Sequence, residues 1–150
     1  MAFIFSLLVM LLVGVVTSAI AFGQKNQIEN AAREASRYAA TLAPDPVTGI
    51  DNAWLEAVRN VAQEAAHGNL DSGVEGQHIC VAHFGSSGWQ RLVQDDGGAA
   101  VPGTAPCYPD GLSDPRVQVE TGRDTEINAA FFSFDISLVA PATARYERVE

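Results

Sequence analysis

Positive charge is scarce in this chain: 150 residues carry 9 Lys and Arg against 18 Asp and Glu, a formal net charge of -9. The acidic residues are spread along the chain, which excludes binding nucleic acid or an anionic membrane surface through charge. A partner recognised by charge would be basic. Cysteine is also scarce, with two in all, so one intrachain bridge is the most the chain can form. No G-x-S-x-G, no G-x-x-x-x-G-K-[ST] and no H-E-x-x-H occurs, so the hydrolase, nucleotide-binding and metalloprotease signatures are missing. Long hydrophobic runs are absent with a single exception, which excludes a chain that crosses a membrane more than once.

That exception is Met1 to Gly23, MAFIFSLLVMLLVGVVTSAIAFG, which has no charged side chain and runs directly into the polar, alanine-rich NQIENAAREASRYAATL. At about 1.5 Å per residue, about twenty apolar residues cross the roughly 30 Å hydrocarbon core. Residues 1–23 are therefore expected to be a transmembrane segment. Ala19-Ile20-Ala21 also has the small-x-small form of a signal-peptidase site, and cleavage after Ala21 would release an exported soluble binding domain. No Lys or Arg precedes the apolar run, and the run exceeds the core of a usual export signal, so an uncleaved anchor is the expectation.

About 125 residues remain, enough for one compact domain and not two. Cys80 and Cys107 both fall in it, and an even count in a small membrane-tethered domain reads as one disulfide formed in an oxidising compartment. Such a bridge closes a loop of about 27 residues and contributes about 3 to 4 kcal/mol. Lys25, Arg33 and Arg37 follow the span closely, and the positive-inside rule alone would put the domain in the cytoplasm. The disulfide points the other way, and the interspersed Glu29 and Glu34 make those cations part of a helix face. The domain is expected on the extracytoplasmic side of the cytoplasmic membrane.

After Gly23, Ile28, Ala31, Ala35, Tyr38 and Leu42 recur at three- and four-residue steps, with Ala39 completing the small-residue stripe. Residues 24–43 read as an amphipathic extension of the membrane helix, its narrow stripe suited to close approach of a sheet or a neighbouring subunit. Ala43-Pro44-Asp45-Pro46 stops it, and a turn follows through Gly49. Asp51 or Asn52 then caps a shorter helix to about His67, with Trp54, Leu55, Val58, Val61 and Ala65 on its apolar face and Gly68 as its stop. Beyond Gly76 the period becomes two. Gln77–Phe84 and Trp89–Gln94 read as a hairpin, Asp95–Asp114 as a long surface excursion, and Arg116–Thr121 as a strand whose dry face is Val117, Val119 and Thr121. A last strand starts near Phe132, with Phe132 and Phe134 on the apolar parity and Pro141 marking a kink or a sheet edge. The expected class is α+β: a long N-terminal helix whose outer half packs on an antiparallel sheet of about four strands, formed within residues 44–150.

The densest polar cluster is His78, Cys80 and His83, but in a strand the first two share a face and the third points away, so no zinc site is expected. Asp45, Asp51, Asp95, Asp96 and Asp110 lack the spacing of an EF-hand loop and read as solvated loop acids. Neither a cofactor nor a metal is expected, and the chain reads as a protein without enzymatic activity. Phe131 lies on the parity opposite Phe132 and Phe134 and is the aromatic expected at an exposed contact.

This architecture resembles a pilin or pseudopilin. NAAREASRYAATLAP after an apolar span is similar to the N-terminal signature of the TadE-like and TadG-like proteins of the tight-adherence pilus system. Arg116 to Glu147 is similar to the C-terminal half of actinobacterial members, which finish in a strand of the form A-x-A-R-[YF]-E. The resemblance implies a membrane-bound pilus-assembly component whose partners are other such components or pseudopilins, with the lipid bilayer around its N-terminal helix. It departs from the family pattern where a glutamate would follow a prepilin cleavage site, at Ser6 in place of a frequent proline, and at Thr17 in place of a frequent glutamate. No leader precedes Met1, so no cleavage residue is carried over: either the chain starts at an internal methionine or this member is not processed.

Overall fold

The computed structural model describes residues 2–42, 51–71, 75–85, 88–112, 114–129 and 132–145. Helices α1 (Ala2–Thr41) and α2 (Asn52–Ala65) precede strands β1 (Gln77–Gly85), β2 (Gly88–Asp95), β3 (Val101–Gly103), β4 (Arg116–Ala129) and β5 (Phe132–Arg145). The class is α+β as expected, with five strands rather than four. The expected stop at Pro44 and Pro46, the turn through Gly49, the hairpin connection at Ser86 and Ser87, and Phe131 lie outside the described residues.

The first helix runs without a break for 40 residues, about 60 Å at 1.5 Å per residue. Besides Ser6, the polar residues of its apolar half are Thr17 and Ser18, whose hydroxyls are both satisfied inside the helix. Thr17 donates to the Val13 and Gly14 carbonyls at 3.0 and 3.1 Å, and Ser18 to Gly14 at 2.8 Å. No side chain from the rest of the protein is needed to make that half compatible with lipid.

The second helix starts where Asp51 accepts a hydrogen bond from the Trp54 N–H at 2.8 Å, filling one of the orphan donors of the first turn. Leu55, Val58 and Ala62 are buried beneath it. It ends at Ala66, and the chain turns away through Gly68 at φ +88°, a left-handed position that glycine occupies without strain.

All five strands are antiparallel, in the order β3-β2-β1-β4-β5. One face receives both helices: Ile28, Ala31, Ala35 and Ala39 of α1 meet a floor of Ile79, Val81, Val117, Val119 and Ala140, all 2% exposed or less. Small side chains bring α1 close enough for the Thr121 hydroxyl to reach the Ile28 carbonyl at 3.1 Å. The stripe is centred slightly differently from the sequence reading. Ala32 and Ser36 are buried in it, whereas Tyr38 stands at its rim, 37% exposed. At 100° per residue Tyr38 falls outside the arc shared by Ala32, Ala35 and Ala39. Replacing Ala35 with Trp is expected to remove about 1 to 3 kcal/mol by overpacking, read as a lower urea midpoint, while Glu34→Trp on the exposed side stays near wild type.

The opposite face is covered as well, which the alternation of Arg116, Gln118 and Glu120 does not foretell. Arg116 and Gln118 are 1% and 0% exposed, because the segment between β3 and β4 folds back across them. Cys107 of that segment is bridged to Cys80 of β1, with Cα atoms 5.8 Å apart. The expected excursion is thus a third layer, and its first part supplies the extra edge strand β3 against Arg91–Val93. Pro141 sits on β5, the other edge of the sheet, opposite Glu120 of β4, as expected for a proline within a strand.

Candidate functional site

Three features could carry function: the uncovered half of α1, the groove where the β4–β5 hairpin meets it, and two polar clusters on the back of the sheet. From Ile4 to Phe22, α1 packs against little of the protein; Ile4, Leu11, Val15, Ile20 and Phe22 are 58 to 67% exposed. Long apolar side chains on every side of a helix are stable only when another medium or partner covers them. This helix is long and apolar enough to cross a membrane, and it is the one that qualifies among the described residues.

The hairpin extends past β1, which pairs with β4 only as far as Arg123, while β4 and β5 pair on to Ala129 and Phe132. Its far end reaches Thr17, Ile20, Ala21 and Gln24, closing with Thr125 to Ile127 a groove of about 240 Å³. Phe134, on the apolar parity that faces the helix, is nonetheless 45% exposed. It pairs with Ile127 in this overhang, beyond the stripe that buries its neighbours. A second groove, of about 450 Å³, lies between α1 and α2 and is lined by Asn30, Glu34, Val61, Glu64, Ala65 and His67.

On the back of the sheet, β1 places His78 between Asp95 of β2, at 2.5 Å, and Glu120 of β4, at 3.3 Å. The hydrogen bond to Glu120, helped by Asp95 against the cost of burial, raises the imidazole to about 8. Because this lies above the ordinary 6.5, the stabilisation is complete below pH 6.5 and is lost as pH rises through about 8. The drop in urea midpoint across that window is expected to be smaller in His78→Gln. His83 titrates in the other direction: burial against the helices, with the Trp54 ring edge-on at 6.0 Å, lowers it to about 4, so its contribution is lost as pH falls below 6.5.

His78, Cys80 and His83 do not converge: Cys80 is in the disulfide and His83 is on the opposite face. Of the acidic residues weighed as loop acids, Asp45 lies outside the described residues and the others have structural tasks. Asp51 caps α2, Asp96 accepts from the Gly76 N–H at 2.7 Å, and Asp110 binds Arg116. Arg116 is the residue that sequence reasoning missed. It donates to both Asp110 oxygens at 2.7 and 2.5 Å and to the Leu112 and Asp114 carbonyls at 2.6 and 2.8 Å, with Phe84 and Trp89 against its guanidinium. That guanidinium holds the Asp110 carboxyl down at about 2. The arrangement pins a loop and offers no open position to a substrate.

The molecule is therefore a small α+β domain carried on one long helix whose free half is fit to cross a bilayer. Residues 1–37, the apolar half of α1 and most of its alanine stripe, match the model of the TadE-like protein family, which points to a component of the tight-adherence pilus system. Arg116–Glu147 lies outside the matched region. No curated protein and no solved structure matches the chain.

Proposed function

We propose that this chain is a non-enzymatic, membrane-anchored component of tight-adherence type pilus assembly, pseudopilin-like in form, that acts by packing against other subunits. Residues 1–23 cross the cytoplasmic membrane once, residues 24–43 carry the helix into the domain, and residues 44–150 form the domain on the extracytoplasmic side. The observation that carries this reading is that the family match falls on a single unbroken helix, one half uncovered and apolar, the other half built into the core of the domain. The disulfide supports the sidedness, since such bridges persist in oxidising compartments. Ile28, Ala31, Ala35 and Ala39 are occupied by the chain's own sheet, so Tyr38 at the rim is what the stripe leaves open to a neighbour.

Deletion of the gene is the test. Loss of piliation and surface adherence, restored by the wild-type chain and not by a chain starting after Gly23 behind an exchangeable export signal, is the expected result. Unchanged piliation in the deletion strain overturns the assignment.

A further inference from the structure

The overhanging end of the β4–β5 hairpin is two-sided. Ile127 and Phe134 lie opposite one another on the face turned toward α1, while Glu126 and Asp135 form the next pair on the other face, both exposed. Its position along α1 matters more than its composition. A span of twenty residues ending at Gly23 begins at Ile4 and measures about 30 Å, the thickness of the hydrocarbon core. Ile20 then lies about 5 Å inside that boundary, and Ile127 shares a groove with it. One turn further out, Thr125 contacts Gln24 at 3.4 Å, side chain to side chain, where the helix becomes polar.

The bilayer that covers Ile20 and Phe22, 58% and 65% exposed, must therefore come up against the hairpin end. We infer that this end is a second membrane contact, with Ile127 and Phe134 lodged at the headgroup–acyl boundary of the leaflet facing the domain. The carboxylates of Glu126 and Asp135 limit the depth, because a charged carboxylate stays with water and headgroups. They also set the lipid preference: the contact is apolar and favours zwitterionic over anionic lipid. The domain rests on the membrane by its hairpin as well as by its helix, which fixes its tilt. This inference depends on α1 spanning the bilayer.

The test uses the full chain with its disulfide intact, reconstituted in phosphatidylcholine vesicles, carrying one nitroxide-labelled cysteine in turn at Phe134, Ile127, Ile20 and Val101. Val101 is on β3, at the opposite edge of the sheet, and 62% exposed. Collisional access to oxygen, which concentrates in lipid, is compared with access to a water-soluble nickel complex. The expected result is an oxygen-to-nickel ratio at Phe134 and Ile127 several-fold above that at Val101 and below that at Ile20, decreasing when phosphatidylglycerol is added. A ratio at both hairpin positions equal to that at Val101, with Ile20 still in lipid, overturns the hairpin contact and leaves the anchor standing. Low access to both reagents, the signature of a protein neighbour, overturns it as well. A water-exposed Ile20 overturns the anchor itself. Ile127→Cys serves if Phe134→Cys does not fold.

Discussion

Replacing Arg116 with methionine is expected to destabilise the domain by about 3 to 5 kcal/mol, the usual consequence of removing one partner of a buried ion pair. The side chain is 1% exposed and Asp110 15%, and the shorter, uncharged methionine leaves two loop carbonyls without their donor and that carboxylate without its counter-charge, held only by the Gln118 amide and the Leu112 N–H. Lysine should not rescue it, since a point charge cannot reach both Asp110 oxygens while lying against the Phe84 and Trp89 rings. Urea unfolding of the detergent-solubilised protein, followed by tryptophan fluorescence, gives the number. A loss below about 1 kcal/mol, the level of an exposed pair, would show that the clamp is not holding the loop. The pH profile should change as well. Asp110 ionises at about 2 rather than the ordinary 3.8, so its contribution is present above that ordinary value and disappears as pH falls toward 2. In Arg116→Met that acid-side loss should flatten.

The double serine variant of Cys80 and Cys107 is expected to lose about 3 to 4 kcal/mol, through the freedom regained by the unfolded chain when a loop of 27 residues is opened. Non-reducing peptide mapping of protein taken from the cell envelope should show the single cross-link. Two freely alkylated thiols in that sample would remove both this expectation and the argument for an extracytoplasmic domain. The bridge and Arg116 hold the same covering segment from two points, and Gln118 lies between them, accepting from the Cys107 N–H at 3.1 Å and donating to the Tyr108 carbonyl at 3.0 Å. The two losses are therefore expected not to add, and a double-mutant cycle measures the coupling.

The legible parts of this fold were those written by local periodicity. The apolar run and its alanine-striped continuation, the cap at Asp51 or Asn52, and the hairpin of β1 and β2 were readable because each rests on residue types at short, fixed spacings, and the disulfide because two cysteines in one small domain leave a single pairing. Alternation along β4 identified its helix-facing side correctly. It could not say that the other side would be covered, because the cover is a Gly- and Pro-rich segment laid down by a cross-link and by one arginine, neither of which has a period. The far half of β4, with Gly122, Arg123, Asp124 and Glu126, has no apolar rhythm and is a strand because β5 pairs with it throughout and β1 as far as Arg123. The short edge strand at Val101–Gly103 was invisible for a similar reason: three residues including a proline carry no propensity signal. Phe134 was assigned to the right face, but parity does not tell where along that face the helix stripe ends. The same holds for Tyr38, where a small error in angle moves a large ring from core to rim.

With α1 anchored as proposed, its join to the domain has a mechanical consequence. No slack segment separates the apolar half of α1 from the half that supplies Ile28 and the alanines to the core, and β4 and β5, the two longest strands, lie against it. A pull on the membrane end is therefore delivered as shear along a long, dry contact rather than taken up by a tether. A twist of the helix in the bilayer turns the whole domain with it. To draw the anchor away, a load must first strip α1 from the sheet, so the helix can come free only as the domain unfolds.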